Sequence, residues 1–168
     1  MRVLATLVAL CLSPLCFAQQ GVYATLNEVL EQAFPNTTAQ QETLWLTNEV
    51  KERFEEQLGF EVFGLRQRYW QGDGKTLWIL DEIGKEYPIT FAFVVENNAI
   101  NSAIVMEYRE SRGGEIRHDF FRQQYNGVRL SESKLNQSID SITGATMSVD
   151  AMSKMAKQAL WLHREVNT

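Results

Sequence analysis

Near the C-terminus, the stretch DSITGATMSVDA (Asp140 to Ala151) sets two hydroxyls, Thr143 and Thr146, around the small pair Gly144-Ala145. Gly144 has no side chain and Ala145 only a methyl group, so the backbone there can lie against a planar or phosphorylated ligand. Apolar residues from Val149 onward recur at helical spacing, which predicts a helix starting at Val149, with Ser148 as its N-cap and Asp150 in its first turn. A helix N-terminus presents N–H groups and positive dipole, and both stabilise a phosphate. Thr146 stands two residues before that cap, with Met147 between them, where a phosphate on its hydroxyl would be held. The same residues also make an ordinary capped loop, and spacing alone leaves both readings open.

Other constellations point to less. Carboxylates pair at Asp81-Glu82, Glu55-Glu56 and Glu107 with Glu110, but nothing marks one as acid and another as base across a bond. No Gly-x-Ser-x-Gly elbow is present. The two histidines, His118 and His163, lie far apart without metal-ligand spacing, so no metal site and no catalytic residue is expected. Met147, Met152 and Met155 lack the cysteine or paired histidine of a copper site and read as gap-filling side chains. The aromatics, including Trp45, Trp70, Trp78 and Trp161, read as core residues rather than as cofactor walls. The run EYRESRGGE (Glu107 to Glu115) leaves a strand for two glycines; it suits either a charged edge or backbone approaching a ligand.

Residues 1–18 have the pattern of a cleaved secretory signal peptide: Arg2, an apolar run from Val3 to Leu12, Pro14, and Ala18 before the expected cut. The apolar run is too short to span a bilayer. Leu10 and Leu15, preceding Cys11 and Cys16, do not suit a lipidated cysteine. Both cysteines would leave with the signal, so the exported chain is expected to have no disulfide, thiolate ligand or cysteine nucleophile. Residues 19–168, about 150 residues, suffice for one domain with an ordinary core. The formal net charge of -5 and the lack of a basic stripe argue against nucleic acid as a partner. A basic cytochrome or membrane-protein surface suits this charge better.

The elements that must position these residues follow from pattern. Thr25 and Glu28 form a capping box before a helix with Leu26, Val29, Leu30 and Ala33 on one face. Thr47 or Asn48 caps a second helix, with Val50, Phe54 and Leu58 inward and Gly59 at its end. FEVFGLRQRYW and KTLWILDEIG flank the turn Gly72-Asp73-Gly74 as strands. YPITFAFVVE alternates, pointing Ile89, Phe91, Phe93 and Val95 one way; after Asn97-Asn98 a further strand is expected to turn Ile100, Ile104, Met106 and Tyr108 to one face. RHDFFRQQYNG reads as a short helix ending at Gly127, followed by a polar loop to Asp140. Val149, Met152, Met155, Ala156, Ala159 and Leu160 form the inner stripe of the last helix. The fold class is therefore α+β: an antiparallel sheet of about four or more strands packed against N- and C-terminal helices.

Asp140-Ser141-Ile142-Thr143-Gly144-Ala145-Thr146 fits D-x-x-[S/T]-G-A-[T/S] and resembles the flavin-attachment motif of FMN-binding domain proteins, a family related to subunits of sodium-pumping NADH:quinone oxidoreductases and similar electron-transport complexes. EQAFPNT, LTNEVKERFEEQLG, LDEIGKEYPITFAFVVE and EYRESRGGEIRHDFFRQQYNG resemble successive blocks of stand-alone exported members, with Tyr125 where relatives often carry Phe. The resemblance implies covalent FMN, joined by a phosphoester to Thr146. A magnesium-dependent flavin transferase would supply it from FAD, so Thr146 needs no base of its own. Asp140, Thr143, Gly144 and Ala145 would be read by that enzyme or contact the flavin, as would Met147 and Ser148. Tyr108, Arg112, Gly113 and Gly114 are the expected ring contacts. The implied role is a periplasmic electron carrier or redox subunit rather than a stand-alone enzyme. It would relay between membrane or periplasmic redox proteins such as cytochromes or quinone-linked complexes. The alternatives are a cofactor-free binding or assembly module of a membrane redox complex and an enzyme with its own substrate pocket.

Overall fold

The computed structural model describes residues 21–168; the signal-peptide expectation for residues 1–18 lies outside them. In chain order the elements are β1 (Gly21–Val22), α1 (Leu26–Ala33), β2 (Gln40–Trp45), α2 (Asn48–Leu58), β3 (Arg66–Gly72) and β4 (Lys75–Ile83). They continue with β5 (Pro88–Glu96), β6 (Ala99–Tyr108), α3 (Asp119–Arg122), β7 (Leu130–Ser131), β8 (Lys134–Leu135) and α4 (Thr146–Val166). The main sheet is antiparallel throughout, in the order β1-β6-β5-β4-β3-β2, while β7 and β8 form a separate small hairpin. This is the α+β class read from the sequence, with six strands in the main sheet.

Local chemistry accounts for most boundaries. Thr25 and Glu28 form the capping box of α1, and Thr47 accepts from Val50 N–H at the start of α2. Gly59, at φ +74°, ends α2 in the left-handed conformation that glycine adopts without cost. Asp73-Gly74 and Asn97-Asn98 have positive φ at both positions, the requirement of the two-residue turns that match strand twist.

Helices cover both faces of the sheet. Phe54 of α2 and Met152, Ala156, Ala159 and Leu160 of α4 pack with Ile89, Phe91, Phe93 and Val95 of β5. On the other face Val29, Ala33 and Phe34 pack with Leu77, Ala92, Val94, Ile104 and Met106. Strand β5 is thus buried on both sides, and each such side chain contributes about 1.5–3 kcal/mol by leaving water. Ala156 and Ala159, both fully buried, present only methyl groups and let α4 lie close to the sheet.

Four local expectations are corrected. The strand expected from Phe60 begins at Arg66, because Gly64 at φ +96° breaks the extended backbone; Val62 turns inward while Phe63 and Leu65 stay 77% and 78% exposed. The single face expected for Ile100, Ile104, Met106 and Tyr108 is split. Register shifts opposite Thr90/Phe91 and Val94/Val95 each insert a residue into β6. Such a bulge exchanges inward and outward positions, so Ile100 and Tyr108 face α4 while Ile104 and Met106 face α1. Helix α4 starts at Thr146, not Val149, and its N-cap position is Ala145, whose methyl group makes no capping bond. Trp45 is 61% exposed on the edge strand β2, while Trp78 and Trp161 are core residues.

Candidate functional site

Three segments meet around a cavity of about 530 Å³ at one end of the sheet. The turn after β4 contributes Lys85 and Glu86; the segment after β6 contributes Glu110, Ser111 and Arg112; the start of α4 contributes Gly144 through Ser148. Antiparallel pairing explains the convergence. Ile83 pairs with Pro88, and Ile89 with Tyr108, so the β4–β5 turn and the end of β6 reach the same edge.

At the start of α4, Gly144 adopts φ +84°, and Ala145 N–H donates to Ile142 O at 2.9 Å. The first helical bond runs from Val149 N–H to Ala145 O, leaving the N–H groups of Thr146, Met147 and Ser148 ahead of the helical ladder. Thr146 is exposed at the first helical position and Met147 is 51% exposed, whereas Ser148 is buried. The Ser148 hydroxyl, expected to cap the helix, instead bonds the Tyr108 hydroxyl at 2.9 Å. That hydroxyl also contacts the carbonyl of Arg112. Burial pushes the Tyr108 phenol up, a shift that the Ser148 bond reduces and nearby carboxylates reinforce, so it stays a neutral donor.

Gly113 lies beneath this junction at φ +86°. A Cβ there would stand 2.8 Å from Ser148 Oγ, 2.9 Å from Tyr108 Oη and 3.3 Å from Ala145 Cα. The residue is glycine because the start of α4 packs directly on its backbone. The structure therefore brings Gly144, Ala145, Thr146, Met147, Ser148 and Arg112 to the cavity border. Tyr108 and Gly113 are buried behind that border against Ser148. Gly114 lies one residue further on, its carbonyl accepting from Arg117 at 3.0 Å. Asp140 and Thr143 are exposed on the approach to α4, outside the cavity lining. Asp140 is fixed there by its N–H donating to Gln124 Oε1 at 2.8 Å.

Sequence reasoning missed Lys85, Glu86, Glu110 and Ser111 as parts of this border. The carboxylate pairs it weighed are dispersed: Glu107 pairs with Arg109, Glu82 with Lys154, and Asp81 accepts from Thr90. Glu110 turns away from Glu107 and takes backbone donors of the β4–β5 turn. Its one local signal was a carboxylate leaving a buried strand just ahead of two glycines.

Residues 84–161 match the family model described as an FMN-binding domain. The chain thus contains a segment similar to an FMN-binding domain. Neither a curated protein nor a solved structure matches the chain. The match starts in the β4–β5 turn and ends within α4, so every residue of the cavity border falls inside it, while α1 and α2 lie outside. The cavity within the matched segment suits FMN. Cationic Lys85 and Arg112 and the N–H groups at the start of α4 suit a phosphate, and exposed Met147 offers an apolar contact.

Proposed function

We propose that this protein carries FMN joined through a phosphoester to Thr146 and serves as an exported, periplasmic electron carrier. The observation that carries the reading is the position of Thr146: an exposed hydroxyl on the first residue of α4, at the border of the cavity within the matched segment. Attachment forms one bond, Thr146 Oγ to the FMN phosphorus of FAD, and breaks one, releasing AMP; the hydroxyl proton passes to the flavin transferase. The motif's one carboxylate, Asp140, is exposed and outside the cavity lining, which fits a hydroxyl activated by another enzyme.

When bound, FMN supplies the one- and two-electron chemistry, and the protein supplies binding and orientation. The N–H groups of Thr146, Met147 and Ser148, with Lys85 and Arg112, would hold the phosphate. Tyr108 and Ser148 keep the start of α4 in place from beneath. A covalent tether suits a compartment where a dissociable flavin would be lost. Cytochromes or quinone-linked complexes would be its redox partners, and the acidic net charge of -5 favours a basic docking face on such a partner.

Co-export with a magnesium-dependent flavin transferase tests the reading. Denatured wild-type protein should fluoresce in a gel and gain the mass of FMN less water. Thr146→Val should abolish the label, and Thr146→Ser should retain it. Wild type left unlabelled, under conditions that label an established acceptor, would overturn the carrier reading and favour the cofactor-free module.

A further inference from the structure

The β4–β5 turn closes with a single ladder-type bond, Gly84 N–H to Tyr87 O at 3.0 Å. In an ordinary exposed turn the next N–H groups would face water. Here those of Lys85, Glu86 and Tyr87 converge on one atom, Glu110 Oε1, at 2.5, 2.5 and 2.9 Å. The acceptor comes from a different strand end, and its residue is only 4% exposed. Burying a carboxylate costs several kcal/mol unless donors replace the lost water, and three backbone donors do so. Burial pushes the Glu110 carboxyl up, but the three N–H donors and the nearby Lys85 charge outweigh it, leaving the group below the usual carboxylate value. Gly84 makes room for the arrangement: a Cβ there would lie 3.0 Å from Glu110 Oε1 and 2.9 Å from Ile89 Cδ1.

This anchor is also part of the cavity. Lys85, Glu86 and Glu110 border the space that the start of α4 closes from the other side. Three residues beyond Glu110, Gly113 packs against Ala145 and Ser148. Glu110 thus joins one wall of the cavity to the segment supporting the opposite wall, and it leaves a fixed negative charge at the border.

We propose that Glu110 is a positioning residue for the flavin: its carboxylate fastens the β4–β5 turn as a wall of the cavity and sets the local charge that the bound cofactor experiences. The proposal rests on FMN occupying this cavity. Shape and charge are separable, because Glu110→Gln keeps a carbonyl acceptor of the same reach and loses the charge, whereas Glu110→Ala loses both.

The test has one arm without flavin and one with it. In the unloaded chain, Glu110→Ala should speed amide hydrogen exchange at Lys85, Glu86 and Tyr87 by about tenfold or more, the loss expected for bonds to a charged acceptor. Glu110→Gln should restore most of that protection. In transferase-loaded protein, Glu110→Ala should still be labelled at Thr146 but should show lower flavin fluorescence anisotropy and a higher reduction potential. Glu110→Gln should recover the anisotropy and keep the higher potential, because the shape returns without the charge. Unchanged exchange at the three amides in Glu110→Ala, or wild-type anisotropy and potential in its loaded form, would overturn the proposal. Should Glu110→Ala fail to fold, Gly84→Ala should speed the same amides and Glu110→Gln should raise the potential; wild-type values for both would overturn it equally. An unlabelled wild type would instead sink the Thr146 attachment; the exchange arm still decides the anchor, and anisotropy is then read with added FMN.

Discussion

Gly113→Ala tests whether the start of α4 is held by close backbone packing. Two costs apply. Alanine at φ +86° sits in the left-handed region, which costs about 1–2 kcal/mol. Its Cβ would also stand 2.8 Å from Ser148 Oγ and 2.9 Å from Tyr108 Oη, both in a buried network. Overpacking of that kind costs about 1–3 kcal/mol, so the total is about 2–5 kcal/mol. Gly144→Ala is the matched control, since Gly144 has nearly the same φ, +84°, but no atom within 4 Å of a Cβ. It should lose only the strain, about 1–2 kcal/mol. Urea unfolding at pH 7, with the slope checked for constancy, measures both. Adding Ser148→Ala to Gly113→Ala removes the nearest clash and should recover part of the loss. Equal costs for Gly113→Ala and Gly144→Ala would refute the packing argument and leave conformation alone as the reason for glycine.

Two further predictions concern charge. His163 is buried, and its Nδ1 faces the Thr76 hydroxyl at 2.7 Å, which itself accepts from Trp78 Nε1–H; burial and then the Arg164 charge lower the imidazole's pKa. The unfolded chain therefore takes up this proton first: the His163 contribution is complete above the unfolded value of about 6.5 and is lost as pH falls below it. The urea midpoint should accordingly fall more steeply from pH 7.5 to 5.5 in wild type than in His163→Gln, and parallel curves would refute the assignment. In the label-free Thr146→Val background, Arg112→Gln and Lys85→Gln should each weaken binding of added FMN about two- to fivefold, the effect of an exposed cation. Titrations at raised salt should narrow that difference, and no difference at low salt would remove both residues from the phosphate site.

What was legible in the sequence was whatever local pattern decides. Strand β5 alternates because its two faces pack against different helices, and α2 is bounded by Thr47 and Gly59 through bonds within its own turns. Strand β2, QQETLW, escaped notice because it is a mostly exposed edge strand with no buried face to impose alternation. Strand β1 has two residues, too few for any period, and exists because β6 offers Glu107 and Tyr108 as partners. The face of β6 was misread because two bulges interrupt its period, and these depend on pairing with β5 rather than on local residue types. The candidate site divides in the same way. The Thr146 motif is contiguous and could be read directly. Glu110 with the 85–87 turn, and Ser148 with Tyr108, are joined across 23 to 25 and 40 residues respectively, where no local rule reaches.

The misread start of α4 bears most directly on function. A Ser148 cap would have used its own hydroxyl to satisfy an N–H group and left Thr146 in a loop. Instead the cap position is Ala145, which can accept nothing through its side chain, and the Ser148 hydroxyl is engaged by Tyr108. Helices α1 and α2 are each capped by a threonine, Thr25 and Thr47. The longest helix lacks that device at the end that borders the cavity, although a missing cap typically costs about 1 kcal/mol. A phosphoryl oxygen on Thr146 would supply the acceptor that the chain withholds. In this proposal, attachment completes a helix terminus as well as retaining a cofactor, and the first turn of α4 should be better ordered in the flavinylated protein than in the unloaded one.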